Sequence, residues 1–162
     1  MAISYKFVNS QNHNVMKIQI INGPNLNLLG QREPKIYGHT SFEDYLPVLQ
    51  DHFKDIQIDY FQSNVEGLII DKIQEISTAC DGIVINAGGF THTSISIADA
   101  LAMMPIPAVE VHISNILARE EYRHISFIAS ACSGSIMGFG LDSYRLSIEA
   151  FRVIHENRSS YF

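Results

Sequence analysis

An arginine and a tyrosine lie five residues apart in a polar loop of this chain, and together they could remove a proton from a ligand. The loop follows an apolar run that ends at Ile21, and it holds Arg32 and Tyr37 between Gly30 and Gly38. A tyrosine beside a fixed guanidinium can lose its hydroxyl proton and become a base, because the positive charge stabilises the phenolate. Each residue alone has an ordinary explanation, a surface charge for the arginine and a packed aromatic ring for the tyrosine. Together they indicate a catalytic base as strongly as they indicate an ordinary surface loop.

The energies of this pair are close to balance. An isolated tyrosine has a pKa near ~10, so its ionisation at pH 7 costs about 4 kcal/mol. One arginine at roughly 4 Å contributes about 4 kcal/mol of attraction at an effective dielectric constant near 20. Arginine suits the task better than lysine because it does not surrender its own proton. We therefore expect Tyr37 to be partly ionised at neutral pH.

Short apolar runs and helical segments alternate along the rest of the chain. The runs predict strands at 17–21, 83–85, 108–112 and 135–138, and Ile56, Ile58 and Tyr60 alternate as in a further strand. Helical spacing and the N-cap residue Ser41 predict helices over about 41–53, 65–79, 94–103 and 144–156, the first with boundaries blurred by Pro47. This alternation predicts an α/β fold, a doubly wound five-stranded parallel sheet in three layers of the flavodoxin-like type.

Polar side chains follow four of the predicted strands at the point where each strand ends. In doubly wound sheets, ligands bind outside the carboxyl ends of the strands. We therefore expect one site at this edge of the sheet, built from amides, hydroxyls and a histidine. The four segments are Asn22-Gly23-Pro24-Asn25, Gln62-Ser63-Asn64, Asn86-Ala87-Gly88-Gly89 and His112-Ile113-Ser114-Asn115.

Two other groups of polar residues have competing explanations. His92 and His112 could ligate a metal with a nearby carboxylate, but no tight histidine spacing supports this and no metal is expected. Arg119 and Arg123 would share one face of a helix, either as a solvated surface pair or as a clamp for a carboxylate. The glycines give neither a dinucleotide fingerprint nor a P-loop.

Composition narrows the class of protein. The chain has 162 residues, of which 46% are apolar and 17% charged, so one compact domain is expected. Residues 1–15 are expected to form an N-terminal extension, and residues 16–162 a single catalytic domain. A net charge of -6 argues against nucleic-acid binding. No apolar run approaches the roughly 20 residues that span a membrane, and no secretory signal is evident. With two cysteines as free thiols, a cytoplasmic protein is expected.

Several segments, in order, resemble the signatures of one enzyme family, the type II 3-dehydroquinate dehydratases. The similarity runs from Met16 to the final helix and includes motifs too long to match by chance. The matching segments are Asn22-Gly23-Pro24-Asn25-Leu26-Asn27, Arg32-Glu33-Pro34, Tyr37-Gly38, Gln62-Ser63-Asn64-Val65-Glu66-Gly67, Asn86-Ala87-Gly88-Gly89-Phe90-Thr91-His92-Thr93-Ser94, Asp99-Ala100, Glu110-Val111-His112-Ile113-Ser114-Asn115, Arg119-Glu120 and Arg123.

The resemblance implies a lyase that dehydrates 3-dehydroquinate to 3-dehydroshikimate, in aromatic biosynthesis by the shikimate pathway or in quinate breakdown. It implies a homododecamer built from trimers, with no cofactor and no metal. It also assigns catalytic roles: Tyr37 as base, Arg32 as stabiliser of its anion and of the transition state, His112 as general acid, Asn25 as the residue that orients a water on the enolate, and Glu110 as support for His112. The implied substrate-binding residues are Asn86, His92, Asp99, Ile113, Ser114 and Arg123.

Two positions depart from the family pattern. The third motif has Ala87 where the family often has proline, and Ala98 stands where an arginine commonly precedes the aspartate. If that arginine serves a subunit contact, assembly differs here. Three alternative functions remain at this point: a flavin-binding electron carrier on the same fold, a non-catalytic assembly module, and a Schiff-base dehydratase that would use Lys35.

Overall fold

The computed structural model describes residues 15–30 and 40–160, with side chains described to residue 156. Arg32 and Tyr37 therefore lie outside the described residues, as do residues 1–14. The division into an extension over 1–15 and a domain over 16–162 stays a prediction. Both cysteines are free and half-buried.

Five strands and four α-helices alternate along the described chain. The strands are β1 (Met16–Asn22), β2 (Ile56–Gln62), β3 (Gly82–Asn86), β4 (Ala108–His112) and β5 (Gly134–Met137). The helices are α1 (Phe42–His52), α2 (Glu66–Glu75), α3 (Ile95–Ala102) and α4 (Asp142–Ser160). Every sheet pairing is parallel, in the order β2-β1-β3-β4-β5. The predicted flavodoxin-like α/β fold is confirmed.

Alternation along the strands produces the three layers. Ile18 and Ile20 of β1 face one side of the sheet, where they pack in a core that includes Phe42 of α1 and Phe151 of α4. Ile21 faces the other side, in a core formed with α2 and α3. Successive strand residues point to opposite faces, so both faces of the central strands must be apolar.

Local sequence signals account for most element boundaries. Ser41 caps α1, since its hydroxyl accepts a hydrogen bond from the Asp44 amide at 3.0 Å, and the helix continues through Pro47. The predicted helix over 65–79 was too long, because α2 ends at Glu75. The final helix begins at Asp142, earlier than predicted. Within the described residues, none of the helices is long and apolar enough to cross a membrane.

Strand order also locates the site. The chain reverses its direction of winding between β1 and β3, and a crevice forms outside the carboxyl ends of strands at such a switch point.

Candidate active site

A cavity of about 280 Å³ opens at the carboxyl edge of the sheet. Three of the four predicted rim segments line it, namely those that follow β1, β3 and β4. Of the residues that sequence analysis assigned to the site, those that line this cavity are Asn25, Asn86, His92, His112, Ile113, Ser114 and Arg123.

The loop after β1 carries Asn25 in an unusual backbone conformation. Its φ angle is 67°, in the left-handed region that asparagine tolerates better than most residues. The fourth predicted rim segment, which follows β2, braces this loop. Asn64 Oδ1 accepts a hydrogen bond from the Asn25 amide at 2.9 Å, and Gln62 Nε2 donates to the Gly23 carbonyl at 3.2 Å. The β2 segment therefore supports the cavity from behind.

The loops after β1 and β3 pack directly on each other. The Gly23 amide donates to the Asn86 carbonyl at 2.7 Å. A side chain on Gly23 would overlap the carbonyl of Ala87, so only glycine fits this contact.

Asn86 is held by a buried polar network. Its side-chain Nδ2 donates to the Tyr144 hydroxyl at 2.9 Å, and its Oδ1 accepts from the Gly88 amide at 3.2 Å. The Tyr144 hydroxyl in turn donates to Asn22 Oδ1 at 2.8 Å. Burial raises the pKa of the Tyr144 hydroxyl well above its usual value, so it stays a neutral donor and acceptor. Asn86 is thus fixed in position at the cavity wall.

His112 and Glu110 occupy alternate positions near the end of β4. His112 Nε2 lies 2.9 Å from Glu110 Oε1, and both residues are buried, with Glu110 wholly inaccessible. A carboxylate can only accept, so Nε2 carries the hydrogen and Nδ1 is the remaining ring nitrogen. Because His112 also lines the cavity, the imidazole connects a buried anion to the ligand space.

Two serines complete the surroundings of Glu110. Ser126 donates to Oε1 at 2.7 Å and Ser135 donates to Oε2 at 2.5 Å. Burial on its own would raise the pKa of Glu110, but the hydrogen bonds from His112, Ser135 and Ser126 outweigh it and lower that pKa below its ordinary value. Glu110 is therefore a carboxylate at neutral pH, and it accepts the hydrogen bond from His112.

A second imidazole lies parallel to the first. The ring centroids of His92 and His112 are 6.4 Å apart, with 17° between the ring planes. His92 Nδ1 lies 2.7 Å from the Ile125 carbonyl, which can only accept, so Nδ1 carries the hydrogen. The other nitrogen of neutral His92, Nε2, is then available as an acceptor.

The turn after β4 provides donors for an anion. Ile113 is buried and Ser114 is half-buried, and both line the cavity. Within residues 15–30 and 40–160, the Ser114 hydroxyl and amide make no hydrogen bond. Such donors can bind a carboxylate without first breaking a bond inside the protein.

The two arginines predicted to share a helix face do not lie on one helix: Arg119 is the extended C-cap residue of one short turn, and Arg123 ends the next. The 3₁₀ turns Ile116–Ala118 and Glu121–Arg123 are separated by an extended backbone at Glu120. Glu120 Oε2 lies 2.9 Å from Arg123 Nε and 3.5 Å from Arg119 Nε, and all three side chains line the cavity. The arginines thus place positive charge at the cavity of a protein whose net charge is negative. A ligand with a carboxylate needs such a local positive charge in order to bind.

Asp99 is not part of this cavity. It lies exposed on α3, and it is absent from the residues of this chain that line the cavity.

Within the described residues, no three histidine, cysteine or acidic side chains come together in the manner of a metal site.

Sequence analysis did not identify Ser126, Ser135 and Tyr144. These residues are 16, 25 and 58 positions from the residues they contact, Glu110 in the first two cases and Asn86 in the third. Single serines and a tyrosine in the final helix carry no spacing signal for such contacts, so only the folded structure reveals them.

Comparison with known proteins places the chain in one protein family. The family model described as dehydroquinase class II matches residues 16–152. A 3-dehydroquinate dehydratase from Synechococcus sp. (strain CC9605) is 53% identical over 135 residues, which cover 82% of this chain and 92% of the relative. One from a Nitratiruptor species is 50% identical over 144 residues, covering 87% and 92% of the two chains.

Solved structures agree with this assignment. The type II dehydroquinase from Butyrivibrio crossotus DSM 2876 superposes with a TM-score of 0.82 at 49% identity, covering 85% of this chain and 97% of the other. The type II dehydroquinase from Propionibacterium acnes gives a TM-score of 0.81 at 37% identity, with coverages of 85% and 98%.

Proposed function

The chain belongs to the class II dehydroquinase family, and from that premise we propose how its residues carry out the dehydration of 3-dehydroquinate to 3-dehydroshikimate, a step of the shikimate pathway. This function takes the place of the flavin-carrier, assembly-module and Schiff-base interpretations. The reaction removes a proton next to a ketone and a hydroxyl from the neighbouring carbon. It therefore needs a base, a means to stabilise an enolate, and an acid.

Tyr37 is the proposed base. As a phenolate it takes the proton next to the ketone, and the electron pair moves onto the ketone oxygen to give an enolate. Arg32 stabilises both the phenolate and the charge that develops in the transition state. Asn25, at the cavity wall, orients a water molecule that donates to the enolate oxygen.

His112 is the proposed acid. Its Nε2 hydrogen is engaged by Glu110, so the proton to be transferred is held on Nδ1 of the imidazolium, which the ionised Glu110 stabilises. When the enolate collapses, the carbon–oxygen bond breaks and the departing hydroxyl takes this proton to leave as water. Base and acid act on opposite faces of the ring, an anti elimination. The contact between His112, which lines the cavity, and the buried Glu110 behind it is the observation that supports this proposal most directly.

The substrate carboxylate would be bound by the turn after β4, through Ile113 and Ser114, since the Ser114 donors line the cavity. Asn86, His92 and Arg123 would bind the hydroxyl and carboxylate oxygens from neighbouring walls. No metal or cofactor takes part in these steps.

Asp99 lies outside the cavity of its own chain, which is compatible with a role across a subunit contact. We accordingly propose a homo-oligomer, a dodecamer built from trimers, in which Asp99 serves a neighbouring site. Ala98, beside it, is where this assembly would differ from that of relatives with arginine. A cytoplasmic location is proposed with this role.

The test is the rise in ultraviolet absorbance as purified protein, pretreated with a chelator, meets 3-dehydroquinate. The conjugated product absorbs where the substrate does not, so a rise means a dehydratase that needs no metal. The matched control is Tyr37→Phe, prepared in the same way. No rise from a folded wild-type oligomer would contradict the proposal.

A further inference from the structure

The carboxylate of Glu110 has more hydrogen-bond partners than the support of one histidine requires. Oε1 accepts from His112 at 2.9 Å and from Ser126 at 2.7 Å, and Oε2 accepts from Ser135 at 2.5 Å. Glu110 is wholly inaccessible, so water does not supply these bonds. Both oxygens are engaged, and the plane of the carboxylate is thereby fixed.

The two serines reach Glu110 from different parts of the fold. Ser135 is paired with Glu110 in the register of β5 against β4, so the pleat places the two side chains on one face of the sheet. Ser126 lies in the segment between those strands, and its hydroxyl also accepts from the Ala129 amide at 3.0 Å. Within the described residues the Ser135 hydroxyl makes no second hydrogen bond, so it is committed to Glu110.

We propose that Ser135, with Ser126, is a positioning residue for the elimination: it fixes the Glu110 carboxylate so that His112 keeps its hydrogen on Nε2 and presents a transferable proton on Nδ1 to the cavity. This inference rests on the proposed function. It predicts that the edge strand β5, which contributes no residue to the cavity wall, controls proton delivery to the leaving hydroxyl.

Removal of the Ser135 hydroxyl separates positioning from binding. We expect Ser135→Ala to lower kcat about tenfold, the effect of one charge-assisted hydrogen bond lost at the step that transfers the proton. KM should stay within about twofold, because Ser135 does not touch the ligand space. Ser135→Thr keeps the hydroxyl at an exposed strand position and should restore kcat.

The matched control is Ser130→Ala. Ser130 is an exposed serine in the same region. Its hydroxyl lies 3.5 Å from the Phe127 carbonyl and forms no hydrogen bond with Glu110. It should leave both constants unchanged.

A double-mutant cycle tests whether Ser135 acts through Glu110. In a Glu110→Gln background the anion is gone, so Ser135→Ala should change kcat by less than about twofold. An equal fold-change in both backgrounds would mean a general effect on the strand and would overturn the inference. Wild-type kcat in Ser135→Ala would overturn it as well.

Folding of each variant is checked by circular dichroism and oligomer size. Should Ser135→Ala not assemble, Ser126→Ala carries the same cycle, since it removes a donor from Oε1. The outcomes also separate the two proposals. An inactive wild-type enzyme defeats the proposed function, whereas an active enzyme that is sensitive to His112→Ala and insensitive to Ser135→Ala defeats only this inference.

Discussion

His112 and Glu110 lie two positions apart on β4, and their side chains meet on one face of the sheet with 2.9 Å between Nε2 and Oε1. The period of two in a strand makes such an arrangement available wherever an acid and a histidine flank one residue. Here the strand ends at the cavity, so a wholly buried carboxylate forms a hydrogen bond with an imidazole that lines the ligand space.

The first prediction concerns His112, the proposed acid. We expect His112→Ala to remain folded and to lose at least about a hundredfold in kcat, the usual range for a positioned proton donor. Steady-state kinetics with 3-dehydroquinate measure this. An unchanged rate would assign the acid to another residue.

The second prediction concerns the pH dependence of stability. The pKa of Glu110 is lower in the folded protein than its ordinary value, so the unfolded chain binds a proton more readily. The contribution of Glu110 to stability is then complete above the ordinary glutamate pKa of about 4.3 and is lost as the pH falls through the lower folded value.

Urea unfolding of wild-type protein and Glu110→Gln from pH 7 to pH 3 checks this. The difference in unfolding free energy should narrow as the pH drops below about 4.3. Asp51→Asn is the control, because Asp51 forms an exposed surface pair with Lys54 at 3.2 Å. A difference that stays constant with pH would contradict the assignment of ionised Glu110 as a stabilising group.

The third prediction concerns the proposed base. Tyr37→Phe removes the hydroxyl and keeps the ring, so turnover should fall to nearly nothing while substrate still binds. Calorimetric titration and the absorbance assay measure the two properties separately. Rates like those of the wild-type enzyme would defeat the assignment of Tyr37.

The fourth prediction concerns Arg32, which is proposed to stabilise the Tyr37 phenolate. Arg32→Lys keeps the charge but concentrates it on a flexible stem, so the phenolate is stabilised less well. We expect a folded enzyme with kcat lowered at least about tenfold, the equivalent of about 1.4 kcal/mol. Full activity with lysine would show that the guanidinium geometry is not needed.

The fifth prediction concerns the buried tyrosine below the site. Tyr144→Phe leaves Asn22 Oδ1 and Asn86 Nδ2 without the hydroxyl that joins them, and should cost about 1–3 kcal/mol of stability. Tyr122→Phe is the control, because Tyr122 is 67% exposed. Equal stabilities of the two variants in urea would show that the network contributes little.

Sequence patterns predicted the fold because its elements depend on local signals. The apolar run of β4 was predicted with its observed bounds, and Ser41 capped α1 as its residue type indicated. Periodicity did not reveal where α2 ends, since apolar residues continue in helical spacing into the turn at Ile76. Element boundaries follow from tertiary contacts as well as from pattern.

The site was predictable to the extent that its residues follow strand ends. Three residues at or just after strand ends were predicted in this way, and all three line the cavity: Asn25, Asn86 and His112. The surroundings of Glu110 were not predictable, because the serines that bind it come from distant segments. The break between the turns at Glu120 was also missed, because the spacing of Arg119 and Arg123 fits a helix equally well.

The contact of Gly23 with the loop after β3 has a consequence for the cost of ligand binding. The Gly23 amide is bonded to the Asn86 carbonyl and its backbone lies against Ala87, so the loops that carry Asn25 and His92 cannot slide past each other. Their relative arrangement is fixed when the chain folds. A ligand that binds in the cavity then loses its own translational and rotational entropy, but no free energy is needed to order the loops that carry Asn25 and His92. A larger part of the favourable contact energy therefore contributes to the binding free energy.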